Sequence, residues 1–198
     1  MKSRIILLLA VLGALAVPAA QAHSGAGVAG GFTAGFMHPL GGLDHLLAMA
    51  SVGIWGAFLG RPLIWMLPVA FPLIMVVGGV LGILGIPLPF VEVGVSSSVI
   101  ALGLAIAMAW RAPPAIAVAI ISVFAIFHGH AHGTELPTAA APEAYAAGFV
   151  MATGLIHIAG IGIGLLVGVR GGQPLLRAAG GVIAATGVWI LAGTLGLA

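Results

Sequence analysis

Along this chain, apolar stretches long enough to cross a bilayer alternate with short breaks rich in arginine, proline and glycine. A spanning helix needs about 20 mostly apolar residues. On that measure the pattern predicts spans at 40–59, 63–86, 93–110, 114–133, 143–169 and 178–197. The expected fold is an all-α integral membrane protein, a bundle of six transmembrane helices forming one domain over residues 23–198. The breaks are too short to hold a separate soluble domain. An earlier apolar run, 5–17, follows Lys2 and Arg4 and precedes Ala20-Gln21-Ala22, which is the form of a cleavable signal peptide over residues 1–22. Cleavage would leave His23 as the mature N-terminus; an uncleaved first anchor is the alternative.

The stretch from Gly25 to Leu59 runs to 35 residues, roughly 52 Å if wholly helical against a hydrocarbon core of about 30 Å. The first helix is therefore expected to be broken near Pro39–Gly42, since proline removes a backbone hydrogen bond and glycine relaxes the helix. Such breaks survive at membrane depth only against protein or a wet cavity. The segment from Gly27 to Met37 then reads as an outer half-helix or re-entrant arm. Gly160, Gly164 and Gly168 form a small-xxx-small stripe suited to close packing within the bundle or to a homo-oligomer.

Composition excludes a soluble globular domain: 62% of residues are hydrophobic, 5% are charged, and the mean hydropathy is +1.28. Beyond the leader the charges are Arg61, Arg111, Arg170 and Arg177 against Asp44, Glu92, Glu135 and Glu143, a balance that implies no nucleic-acid partner. All four arginines fall in the breaks that a six-span layout places on one side. The positive-inside rule makes that side cytoplasmic and predicts a multi-pass protein of the bacterial inner membrane with a periplasmic mature N-terminus. With no cysteine, any metal must be held by nitrogen and oxygen.

Two clusters then carry the chemistry. His38-Pro-Leu-Gly-Gly-Leu-Asp44-His45 lies in the first span, and Phe127-His128-Gly-His130-Ala-His132-Gly-Thr-Glu135 ends the fourth. Ionisable groups at membrane depth are costly and mark ion or proton handling, and imidazole with carboxylate is the ligand set of borderline divalent metals. His128 and His132, four apart, share a helix face, whereas His130 points nearly opposite. Glu135 follows at the helix end and can add oxygen. His38 and His45 are seven apart, about 10.5 Å along a straight helix, too far to bind one ion together. Either the break folds His38 back or His38 serves an entry site above His45. Asp44 reads as a ligand or as the group orienting a ligating imidazole. His157, near the middle of span five, is a deeper stepping stone or a hydrogen-bonded core histidine. Glu92 is an interfacial anchor or part of the pathway, and His23 could chelate through its amine and ring. Ser96, Ser97 and Ser98 read as packing residues bonded to the preceding turn, and Met37 and Met151 as core.

With both motifs in expected spans, the chain resembles the HupE/UreJ family of bacterial nickel permeases. The family pattern of His, five residues, then Asp-His is matched by His38, Asp44 and His45. Its Phe-His-Gly-x-(Ala/Val)-His-Gly-x-Glu pattern is matched by Phe127, His128, Gly129, Ala131, His132, Gly133 and Glu135. The resemblance implies a permease rather than an enzyme, one that carries Ni²⁺ or Co²⁺ as substrate and has no prosthetic group. The competing reading is an intramembrane zinc hydrolase built on His38, Asp44, His128 and His132, with Ser96 nearby.

Overall fold

A computed structural model describes residues 28–135 and 141–197, so the expected signal peptide 1–22 and His23 lie outside the described residues. Among the described residues the chain is helical without strands. It comprises α1 (Val28–Gly41), α2 (Leu43–Leu59), α3 (Leu63–Ile83), α4 (Val91–Ala107), α5 (Pro114–Thr134), α6 (Pro142–Gly164) and α7 (Gly172–Thr194), with a 3₁₀ turn at Leu165–Gly168. Proline sits in the first turn of α5 and α6, where its missing N–H costs nothing. The protein is a multi-pass membrane protein: α3, α5, α6 with its 3₁₀ extension, and α7 are each long and apolar enough to cross.

α1 and α2 pass the same test only when taken together, as a fifth candidate span or a re-entrant loop, and are bent by 79° at the break between them. The break falls at the extended residue Gly42, while Pro39 stays inside α1. The third expected span, 93–110, falls on α4, which is apolar but has only 17 residues, about 26 Å of helix, short of the length that the other candidates reach. Its ends are fixed by Phe90 and Ala109, both in the left-handed region with φ of 58° and 51°.

Bilayer tails provide no hydrophobic drive between helices, so close backbone approach must hold the bundle. α3 presents Gly78 and Gly82 to the α5 backbone, and α5 returns Gly129 and Gly133 to the α3 carbonyls. Gly103 with Gly180 and Gly187 does the same for α4 and α7, Gly35 with Gly148 for α1 and α6, and Gly53 with Gly160 for α2 and α6. In the stripe on α6, Gly160 and Gly164 are taken up against α2, whereas Gly168 faces open space. Trp55, Phe71, Leu67 and Met49 fill the centre, while Leu73, Val182 and Trp189 point outward, as lipid-facing side chains do. Met151 also points outward rather than into the core. At the arginine-bearing end the Trp55 indole donates to the Trp110 carbonyl at 3.0 Å, and Arg177 Nε donates to that of Ala107 at 2.8 Å.

Candidate metal centre

At the opposite end, α5 and the broken pair bring the two histidine clusters together. Gly129 and Gly133 press one face of α5 against α3, and His128 and His132 therefore project from another face toward α1 and α2. The 79° bend turns α1 across the top of α2, so that the His38 and His45 ring centroids lie 6.3 Å apart.

Two groups of donor atoms result, each with its members within 4.8 Å of one another: His45, His128 and His132, all buried, and His38, His132 and Glu135, nearer the surface. His132 belongs to both. Its ring centroid is 4.5 Å from that of His45 and 4.8 Å from that of His38. The break folds His38 back toward His45, yet its donor atom groups with those of His132 and Glu135 rather than with the buried three. His38 Nε2 is 3.4 Å from Glu135 Oε2, and Glu135 is about half exposed.

Above the buried group lies an open cleft of about 460 Å³, bordered by Met37, His38, Asp44, His45, Glu92 and Glu135. Three carboxylates thus rim the approach, and Glu92 and Met37, expected chiefly as anchor and core, form part of the mouth. Acidic groups around a cleft focus a field that raises the local cation concentration.

Asp44 stands behind His45 rather than among the converging atoms. Its Oδ1 accepts the His45 Nδ1–H at 2.7 Å and the His45 backbone N–H at 2.7 Å. That fixes the ring and leaves Nε2 buried and without a hydrogen-bond partner, on a ring whose neighbours are those of His128 and His132. Gly42 makes room for this pair, since a Cβ there would stand 3.0 Å from Asp44 Oδ1 and 3.2 Å from His45 Nδ1. His128 Nδ1 and both His132 nitrogens are likewise buried without partners. Buried polar atoms are nearly always hydrogen-bonded, so three neighbouring imidazoles with free nitrogens, and donor atoms within 4.8 Å of one another, suit a cation.

His130 is off the cluster, donating from Nε2 to the Ile86 carbonyl at 2.8 Å beyond the end of α3. His157 is buried on α6, across the Phe71 ring from the triad: Phe71 lies 5.6 Å from His128 and 5.8 Å from His157 between centroids. The His157 ring also lies beside the Pro68 carbonyl, which Pro72 leaves without its helical donor.

Sequence reasoning did not single out Phe71, Phe149 or Tyr145. Phe149 packs its ring 4.3 Å from that of His132, and Tyr145 lies 5.9 Å from His38. Phe71 does carry a signal, since it sits between Pro68 and Pro72 in the middle of α3. Among the serines, Ser96 donates to the Glu92 carbonyl at 2.7 Å and lies 3.5 Å from Thr194 on α7. Ser98 bonds back to its own helix as expected, but its Oγ also lies 2.9 Å from His128 Nε2.

The comparisons agree with the two motifs. The family model described as HupE / UreJ protein matches residues 9–190. Protein HupE of Rhizobium leguminosarum bv. viciae is 45% identical over 183 residues, covering 92% of this chain and 95% of that protein. No solved structure matches the chain.

Proposed function

The chain belongs to the HupE/UreJ family, and from that premise we propose that it is a six-span permease that takes up Ni²⁺, or Co²⁺, across the bacterial inner membrane. The observation that carries this reading is the triad of buried imidazoles, His45, His128 and His132, with free ring nitrogens beneath a carboxylate-rimmed cleft. An ion sheds water at Glu92, Glu135 and His38, passes to the triad through His132, and leaves past Phe71 toward His157. Neutral imidazoles replace the hydration shell without adding charge, and such a site must bind well enough to admit the ion yet weakly enough to release it. The placement of Arg61, Arg111, Arg170 and Arg177 at the other end supports a periplasmic mature N-terminus and a cleft open to the periplasm. An inside-negative potential then contributes about 2.3 kcal/mol per charge per 100 mV, twice that for a dication, and drives uptake without ATP.

Hydrolysis has less support. Ser96, the serine that reading would use, gives its proton to the Glu92 carbonyl and has Thr194 as its other neighbour, so it is not paired with a base as a nucleophile would be.

The test is uptake of radioactive Ni²⁺ and Co²⁺ into proteoliposomes under a potassium diffusion potential. Saturable uptake that disappears in His45→Ala and His128→Ala is expected. Flux no greater than in protein-free vesicles, or release of labelled lipid or peptide instead, would overturn the reading.

A further inference from the structure

We propose that Ser98 is a positioning residue for the metal centre: it holds His128 as the Nε2–H tautomer, so that His128 offers the ion its Nδ1. The argument follows the hydroxyl proton. Ser98 Oγ lies 2.6 Å from the Val95 carbonyl oxygen and 2.9 Å from His128 Nε2, and Ser98 is wholly buried. A carbonyl oxygen has no proton to give, so two oxygens at 2.6 Å need the serine proton between them. That proton is therefore committed to Val95. What remains on Oγ is lone pairs, and a bond between Oγ and Nε2 then requires the proton to be on Nε2. A neutral imidazole carries one N–H and one acceptor nitrogen, so the lone pair falls on Nδ1. His128 Nδ1 is the atom found buried without a partner.

The same device, with a different acceptor, operates on His45. There the Asp44 carboxylate takes the Nδ1–H and leaves Nε2 as the free atom. The two rings are thus held in opposite tautomers, one by a carboxylate and one by a hydroxyl whose own proton is tied to α4. The hydroxyl orients its ring without adding charge, so of these two orienting partners only Asp44 brings a charge to the triad. Partners of this kind typically change metal affinity by about 10–100-fold when removed. The tautomer itself is a property of the metal-free protein; its consequence for affinity rests on the permease reading.

The experiment separates the two. Nitrogen-15 correlation spectra of histidine-labelled, metal-free protein in detergent, with His128 assigned by its loss in His128→Gln, should show a protonated Nε2 and an unprotonated Nδ1. Diamagnetic Zn²⁺, used as the probe, should then move His128 Nδ1 and His45 Nε2. Ser98→Ala should weaken Zn²⁺ and Ni²⁺ binding by about 10–100-fold, and Ser98→Thr, which keeps the hydroxyl, should restore most of it. A proton on His128 Nδ1, or wild-type affinity in Ser98→Ala, overturns the role of Ser98 and leaves the permease reading standing. Zn²⁺ and Ni²⁺ that move no ring nitrogen of His45, His128 or His132 overturn the permease reading instead.

Discussion

Gly129→Ala tests whether the metal centre is set by backbone spacing as well as by ligands. A Cβ at position 129 would collide with the Met75 carbonyl oxygen of α3 and lie 2.8 Å from the Met75 carbonyl carbon and 2.9 Å from the Gly79 nitrogen. Carbon contacts are comfortable from about 3.5 Å, and these atoms are backbone, which cannot rotate away. α3 and α5 would have to part locally by roughly 1 Å or more. Overpacking of this kind costs about 1–3 kcal/mol, which for a chain of this size is a fall in Tm of roughly 2–12 °C. The larger effect falls on the site. His128 is the preceding residue, and a displacement of about 1 Å is several times the roughly 0.2 Å tolerance of a metal–ligand distance. Ni²⁺ uptake should fall about tenfold or more, by the scale seen for lost supporting partners. The control is Gly154→Ala, where an added Cβ meets nothing within 4 Å; it should leave uptake unchanged. Thermal unfolding in detergent and proteoliposome flux measure the two consequences. Wild-type stability and flux in Gly129→Ala would refute the argument that backbone contact between α3 and α5 positions His128.

Because His132 serves both donor groups, His132→Ala should abolish Ni²⁺ binding and uptake, whereas Glu135→Gln should leave equilibrium binding at the buried triad and slow entry; isothermal titration beside initial-rate uptake separates the two. His157→Ala should reduce uptake more than binding, since His157 lies across Phe71 from the triad, and equal losses in both would place it elsewhere. Acidifying the outer medium from about pH 7 to 5 protonates imidazoles, whose ordinary pKa is about 6.5, and only the neutral ring binds metal. Apparent affinity should therefore fall as pH falls, by more than one decade per unit near the acid end if two or more histidines ligate together. Half-saturation concentrations at clamped membrane potential test this, and a flat profile would move the site onto Asp44, Glu92 and Glu135.

Much of this architecture was legible in the sequence because the membrane restricts the choices. Apolar runs of fixed length can only be helices, and their breaks place the four arginines at one end. The 35-residue stretch before Leu59 demanded a break, and the break is there at Gly42. The spacing of His128 and His132 put both on one face, and His130 fell off it. What spacing could not show is the turn of α1 over α2, because a helix break has a position in sequence but no direction; only the packed bundle places His38 with His132 and Glu135. The spacing of the second motif says nothing of which helix its glycines meet. In the structure Gly129 and Gly133 face away from the ligands, and their work is to let the α3 carbonyls approach. In sequence Ser98 reads as a packing residue because a bond to its own helix, here to Val95, is local, whereas its bond to His128 crosses from α4 to α5.

The sharing of His132 has a consequence for how many ions can travel together. A neutral imidazole has a single lone pair, so His132 can complete the upper group or the buried triad at any moment, not both. In a conduction path with separate sites, a second ion arriving behind the first pushes it onward; here the arrival of a second ion would require the first to have surrendered its ligand already. On the permease reading, the path is therefore built for solitary passage. Its saturation curve should then be hyperbolic with a Hill coefficient of one, because no ion waits behind to push the first.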